Sequence, residues 1–340
     1  MPSELERAIS RTRRSIDTLE GPVRQAIAAA YELAVRRIEH ELAIVARTLE
    51  GQPIPITWFD DRGRFTPTGE ILYRQQRLRQ LLPQAEREFT RFADEGVRLL
   101  RQGHVRAVTG GAAEAWEIME AAGLHHTFGA RINTYATEQL VGLFREGPIL
   151  QILDGYGARG SEVIERLMIQ GIATGEGPRQ IIKRIKAELL SPANAARLES
   201  LVRTEMMRGF RNGLNEQYAS MSHLISGYRW SAAKSIRTCL ACLGRDGMVQ
   251  KEPWDQMHIS CRCVNSPVVK NVTIPYQTGE EWFARQSPER QQRMMPSRSA
   301  WEAYRDGGVR VQDFVGVHRD RTWGSSVYQK SGREALEDAA

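Results

Sequence analysis

The stretch "RTCLACLGRDGMVQKEPWDQMHISCRC" (237–263) holds all four cysteines of the 340-residue chain and one of its seven histidines. Cys239 and Cys242 are two residues apart, Cys261 and Cys263 one, with 18 residues between the pairs. A two-residue spacer lets two thiolates of one tight turn face the same cation, and a returning pair completes a tetrahedron, as in zinc-ribbon spacing. His258 is a fifth candidate, and a structural zinc takes four ligands, so four of Cys239, Cys242, His258, Cys261 and Cys263 are expected to hold it. A disulfide pair or a cluster of buried thiols is the alternative. Thiolate-rich closed sites leave no position for water, so a catalytic zinc is disfavoured.

Outward from this stretch, "LISGYRWSAA" (224–233) alternates and carries aromatics, and "RCVNSPVVKN" (262–271) reads as a second strand, so the two are expected to pair as an antiparallel ribbon. Toward the N-terminus the pattern is helical. A helical run covers 3–50, with Gly21-Pro22 as the expected break, and a loop follows over 51–70. Further helical blocks are expected over about 69–102 and 111–145. Ser161 reads as an N-cap, Gly175 to Pro178 as an inter-helix turn, and a long helix spans 194–221. The fold class is therefore α+β, mostly α-helical, with a long helical N-terminal half and a smaller α+β C-terminal half bearing a Cys/His-clamped ribbon.

Composition sets limits. Net charge is +6 and only six of 47 basic residues are lysine, so arginine dominates. A weak positive field favours an acidic neighbour such as DNA, and Arg237, Arg245, Lys251 and Arg262 on the cysteine ribbon are the candidate phosphate contacts. No run approaches the roughly 20 apolar residues of a membrane span. The start, "MPSELERAISRTRRS", has no apolar core and reads as no secretory signal, so a reducing cytoplasm is expected, where clustered thiols bind metal more readily than they oxidise.

Other motifs carry less. Arg203-Thr204-Glu205 sits on a helix where adjacent residues diverge, so it reads as an interior polar anchor, with Arg203 or Glu205 reaching the cysteine ribbon, rather than a catalytic set. His125-His126 has no partner at ligand spacing. "ATGEGPRQ" lacks the Lys-Ser/Thr ending of a phosphate loop. With no catalytic motif in context, no enzymatic activity is expected.

The block "CLACLGRDGMVQKEPWDQMHISCRCVNSPVV", preceded by "LMIQGIATGEGPRQIIKRI" and "LESLVRTEMMRGFRNGLNEQY" and followed by "GEEWFARQSPERQQRMMPSRSAWEAYRDGGVRVQDFV", resembles the phage Mu protein F-like family of minor head proteins, also called phage head morphogenesis proteins. Ile259-Ser260 stands where that family more usually has Pro-Asn. The resemblance implies a helical region over 1–146 that docks on portal or capsid, a head morphogenesis domain over 147–275 with its metal ribbon at 237–263, and a tail over 276–340. It implies a virion protein in few copies inside the head near the portal vertex, assembled in the host bacterial cytoplasm. Its partners would be the portal protein, the major capsid or scaffold protein, and packaged double-stranded DNA, with no membrane. It would serve head morphogenesis and DNA packaging or ejection. A zinc-ribbon DNA-binding module and a head-carried effector enzyme are the alternatives.

Overall fold

The computed structural model describes residues 3–50, 67–124, 149–173, 178–254, 258–320 and 324–339. Its contacts divide the chain into two compact units, Pro22–Arg101 with Gly147–Glu199, and Met1–Gly21 with Gln102–Glu146 and Ser200–Ala340. The fold is α+β and mostly helical, as the sequence predicts. His125-His126, the Gly175 to Gly177 turn and most of the loop expected at 51–70 lie outside the described residues.

Among the described residues, five helices precede the ribbon: α1 (Glu4–Glu50), α2 (Pro67–Ala121), α3 (Ile149–Ala173), α4 (Pro178–Leu189) and α5 (Pro192–Ala219). Three expected interruptions are absent. α1 runs unbroken through Gly21-Pro22. A proline inside a helix forfeits one hydrogen bond at a cost of about 3 kcal/mol, and burial of Ile16 before it and of Val23 and Ile27 after it carries the helix through. The blocks expected at 69–102 and from 111 are one helix, α2, continuous through Gly103, Gly110 and Gly111. Ser161 is no N-cap, because α3 begins at Ile149 and passes through it.

In the first unit, α1 buries Val23, Ile27, Tyr31, Val35, Ile38 and Leu42 at helical spacing. The Tyr31 ring stands edge-on to Phe92 of α2 at 5.2 Å, and its hydroxyl donates to Leu189 O of α4 at 3.1 Å. Gly160 of α3 lies under Phe89, where a Cβ would stand 2.2 Å from the ring.

The second unit has two cores. In the helical one, α5 presents Val202, Met206, Phe210, Leu214 and Tyr218, all buried, with Ile9 and Ile16 of α1 and Ala107, Val108, Ala115 and Ile118 of α2. α2 and α5 touch backbone to backbone: a Cβ at Gly111 would lie 2.0 Å from Phe210 O, and one at Gly213 2.0 Å from Val108 O. The glycines that look like helix breakers are the residues that allow this contact.

After α5 comes β1 (Ile225–Ser231), the short helix α6 (Leu240–Arg245), β2 (Val249–Gln250) and β3 (Val264–Val269). The sheet order is β2-β1-β3, all antiparallel, with Trp230 opposite Asn265 and Tyr228 opposite Pro267. The expected ribbon is therefore present. Pro267 is tolerated because β3 is an edge strand.

The last stretch forms α7 (Gly279–Ala284), α8 (Pro288–Met294), α9 (Arg298–Arg305), the hairpin β4 (Val315–Asp320) and β5 (Gly324–Gln329), and α10 (Gly332–Ala339). The second core joins this tail to the cysteines: Trp230, Leu243, Cys242, Cys261 and Cys263 share it with Phe283, Val311, Phe314 and Val327.

Candidate metal centre

Cys239 is the N-cap of α6, and its sulfur accepts from Cys242 N–H at 3.4 Å. The same bond recurs in the second turn, where Cys263 N–H donates to Cys261 Sγ at 3.4 Å. Each pair is thus a small turn closed by an N–H to sulfur bond, which favours the thiolate over the thiol. The turns are brought together by the β1–β3 pairing, and among the described residues the four cysteines are free of disulfides.

His258 Nε2 lies 3.2 Å from Cys239 Sγ and 3.1 Å from Cys242 Sγ, and Cys242 Sγ lies 3.7 Å from Cys261 Sγ. Two trios with ligand-atom separations under 4.8 Å result, Cys239 with Cys242 and His258, and Cys242 with Cys261 and Cys263. Metal–sulfur bonds of about 2.3 Å in a tetrahedron give sulfur–sulfur edges of about 3.8 Å, so the spacing suits a zinc-sized ion. The donors are the soft and borderline ligands that zinc takes. All five sequence-predicted ligands are brought together, and Cys242 belongs to both trios.

The ring of His258 is oriented by Nδ1, 2.7 Å from Ile259 O, which leaves Nε2 toward the sulfurs. That is the arrangement of a metal-ligating histidine, its second nitrogen fixed by a carbonyl. Burial opposes protonation of His258, yet the neighbouring Cys239 and Cys261 sulfurs overcome it and push the imidazole up to about 11. The Cys242 side chain pulls Cys239 down to about 5, against burial and with help from His258. Cys261 is held low although burial raises it, by Cys242, Cys263, Arg211 and His258. Cys242 and Cys263 are pushed up, Cys242 chiefly by hydrogen bonding to Cys239 and Cys261, Cys263 chiefly by burial. The same negative charge would favour a metal cation, which must displace that proton to bind.

The polar anchor differs in its details from the expectation. Arg203 pairs not with the ribbon but with Glu20 of α1, Nε at 3.0 and 3.2 Å from the two carboxylate oxygens and Nη2 at 2.9 Å from Oε1. Glu205 faces His104 of α2 and Arg208, both 3.6 Å from Oε2. It is Thr204 that reaches the cysteine loop, its Oγ1 accepting from Ser260 N–H at 2.9 Å. Ser260 has φ +60°, a left-handed conformation that asparagine adopts more readily than serine, and the Thr204 bond helps hold that turn.

Of the four basic residues considered for phosphate, Arg237 and Lys251 are exposed. Arg245 is buried with its guanidinium 5.6 Å from the Trp230 ring and 5.1 Å from that of Trp254. Arg262 is half-buried, 3.8 Å from Asp17 of α1. The sequence reading missed Arg211, eight residues after Arg203 and on the same helix face, whose guanidinium binds the carbonyls of Cys261 and Cys263. It also missed Asp246, whose Oδ1 accepts from Ala232 N–H and Tyr276 O–H, each at 2.6 Å, and closes the loop after α6.

Glu205 sets a pH dependence. It is fully buried, neither carboxylate oxygen accepts a hydrogen bond of normal length, and burial, only partly offset by Arg208, raises its pKa to about 7. A carboxyl with a raised folded-state pKa costs no stability below about pH 4.5, costs progressively more up to about pH 7, and a constant amount above. Glu205→Gln is therefore expected to stabilise the protein by roughly 3 kcal/mol at pH 8 and hardly at all at pH 4.5. Denaturant unfolding of both proteins at the two pH values checks this; a gain equal at both would remove Glu205 as the source.

Residues 162–266, from within α3 to the middle of β3, match the family described as Phage Mu protein F like protein. No curated protein and no solved structure matches the chain.

Proposed function

We propose, from the membership of residues 162–266 in the phage Mu protein F-like family, that this chain is a minor head protein of a tailed bacteriophage. It works as a structural part of the virion inside the head, near the portal vertex, and serves head morphogenesis and DNA packaging or ejection. It assembles in the host bacterial cytoplasm with the portal protein and the major capsid or scaffold protein, next to packaged double-stranded DNA. The family match is the observation that carries this reading, because it takes in every candidate ligand from Cys239 to Cys263.

The ribbon's zinc is structural in this reading. It ties α6 to the loop before β3, and Cys239, Cys242, His258, Cys261 and Cys263 supply four ligands. A non-enzymatic role is supported by how the polar residues of the motif are engaged: Arg203 joins α5 to α1, Thr204 joins it to the cysteine loop, and Glu205 faces α2. Against a ribbon devoted to DNA binding, Arg245 lies under two indoles and Arg262 beside an aspartate, which leaves Arg237 and Lys251 outermost. Among the described residues no helix is long and apolar enough to cross a membrane.

Quantitative mass spectrometry of purified particles is expected to find the chain at a few copies per head, far below the major capsid protein. Phage lacking the gene should yield defective or empty heads. Particles free of the chain, with normal heads from the deletion, would overturn the proposal.

A further inference from the structure

The two segments that carry the candidate ligands are each gripped by an arginine from a helix distant in sequence. Arg211 of α5 donates through Nε to Cys263 O at 2.8 Å and through Nη2 to Cys261 O at 2.6 Å. Arg13 of α1 donates through both terminal nitrogens to the carbonyls of Ala232 and Ala233, where the chain leaves β1 toward Cys239. One guanidinium therefore spans the second cysteine turn, and the other holds the approach to the first.

Geometry and charge point the same way. A guanidinium is a planar fork of fixed donors, so one arginine can set the separation of two carbonyls. Held at Cys261 and Cys263, that fork fixes the backbone from which both thiolates project. A dication with four thiolates carries a net charge of −2, and with three thiolates and an imidazole −1, in a site where three of the four cysteines are buried. A buried net charge needs an opposite charge nearby. Arg211 is buried, and burial disfavours the Arg13 charge, with Cys263, Tyr276, Asp246 and Cys261 offsetting part of that.

We propose that Arg211 and Arg13 form a cationic frame that sets the metal affinity of the cysteine centre, with Arg211 as its main positioning residue. The inference rests on the metal reading above and extends it to two residues that touch no metal. Because both come from helices, metal binding is coupled to the seating of α1 and α5 on the ribbon. Partners of ligands typically contribute 10- to 100-fold in metal affinity.

The test uses the full chain, reduced, stripped by a chelator, and titrated with zinc against a chromophoric competitor. Arg211→Met is expected to bind zinc about 10- to 100-fold more weakly than wild type, and Arg13→Met about 10-fold more weakly. Arg211→Lys, which keeps the charge and loses the fork, should fall between wild type and Arg211→Met. With cobalt(II) in place of zinc, the thiolate-to-cobalt charge-transfer band of Arg211→Met should move to lower energy, because thiolates without their counter-charge give up electrons more easily. A purely structural role leaves that band in place. Wild-type zinc affinity in both Arg211→Met and Arg13→Met, or an unmoved band, overturns the frame. Should Arg211→Met fail to fold, Arg211→Lys and Arg13→Met decide by the same criterion. Wild-type protein that binds neither zinc nor cobalt overturns the metal reading itself, and the frame with it.

Discussion

Cys242→Ser protein is expected to purify without stoichiometric zinc and to lose most of the cooperative unfolding of its ribbon. Cys242 is common to both ligand trios, so its loss damages the site in every set of four except the one that excludes it. Its sulfur lies within 3.7 Å of both His258 and Cys261, the residues that link the two turns. A structural zinc is worth roughly 10–16 kcal/mol in small finger peptides. Part of that is shared here with the second core, where Leu243, Phe283 and Phe314 are buried in one cluster with the cysteines. We therefore expect a loss on the order of 5 kcal/mol or more, read as a fall in the thermal midpoint, with metal content measured by inductively coupled plasma mass spectrometry. Cys239→Ser and Cys263→Ser, at the two ends of the cluster, should be milder, and the one that retains zinc names the residue outside the ligand set. A Cys242→Ser protein with one zinc per chain and wild-type stability would place Cys242 outside the ligand set, and a wild-type protein that purifies without metal would sink the structural-metal assignment.

The second large effect comes from the α2–α5 contact. Gly111→Ala places a methyl group 2.0 Å from Phe210 O, and Gly213→Ala places one 2.0 Å from Val108 O. In both cases the obstacle is helix backbone, which cannot rotate away as a side chain can. Overpacking a core costs typically 1–3 kcal/mol, and a fixed obstacle puts these two variants at or above about 3 kcal/mol. The double variant should lose less than the sum, because one separation of the helices relieves both clashes. Gly21→Ala is the control: nothing lies within 4 Å of the added methyl group, and in a helix interior alanine is favoured over glycine by roughly 0.5–1 kcal/mol. Urea unfolding of the four proteins tests the contact, and a Gly213→Ala protein as stable as Gly21→Ala would show that α2 and α5 are not in backbone contact.

Both results bear on what could be read in the sequence. The ribbon and its ligands were legible because cysteine spacing and strand alternation are local signals, and the structure brings Cys239, Cys242, His258, Cys261 and Cys263 together. The helix ends were misread where glycine or proline suggested a stop. Gly21-Pro22 and Gly110-Gly111 obey a different requirement, tertiary burial in the first case and close approach in the second, and neither can be seen without the partner helix. Partnerships across long separations were equally hidden. Arg203 meets Glu20 and Arg13 meets Ala233, and no local pattern links such residues. The elements of the tail over 276–340 were not legible because helices of six to eight residues are too short to show a period. Its caps were nonetheless written in the sequence: Thr278 with Glu281, Ser287 before Pro288, and Ser297 each accept a backbone N–H three residues on.

Residues 1–21 belong to the same unit as residues 200–340, and Gln277 N–H donates to Glu6 at 3.3 Å across a separation of 271 residues. A ribosome delivers Glu6 271 residues before Gln277, so the first turns of α1 wait for that length of chain before this polar partner exists. The closure entropy of so long a loop grows only logarithmically with length and is a modest penalty once the chain is complete. During synthesis, however, the apolar face of residues 5–16 has no partner in this unit until Gln102 onward has emerged. Assembly of the unit thereby waits for the residues around Gln277 to emerge, and a change at Glu6 acts on the segment after the cysteine ribbon rather than on the residues beside it in sequence.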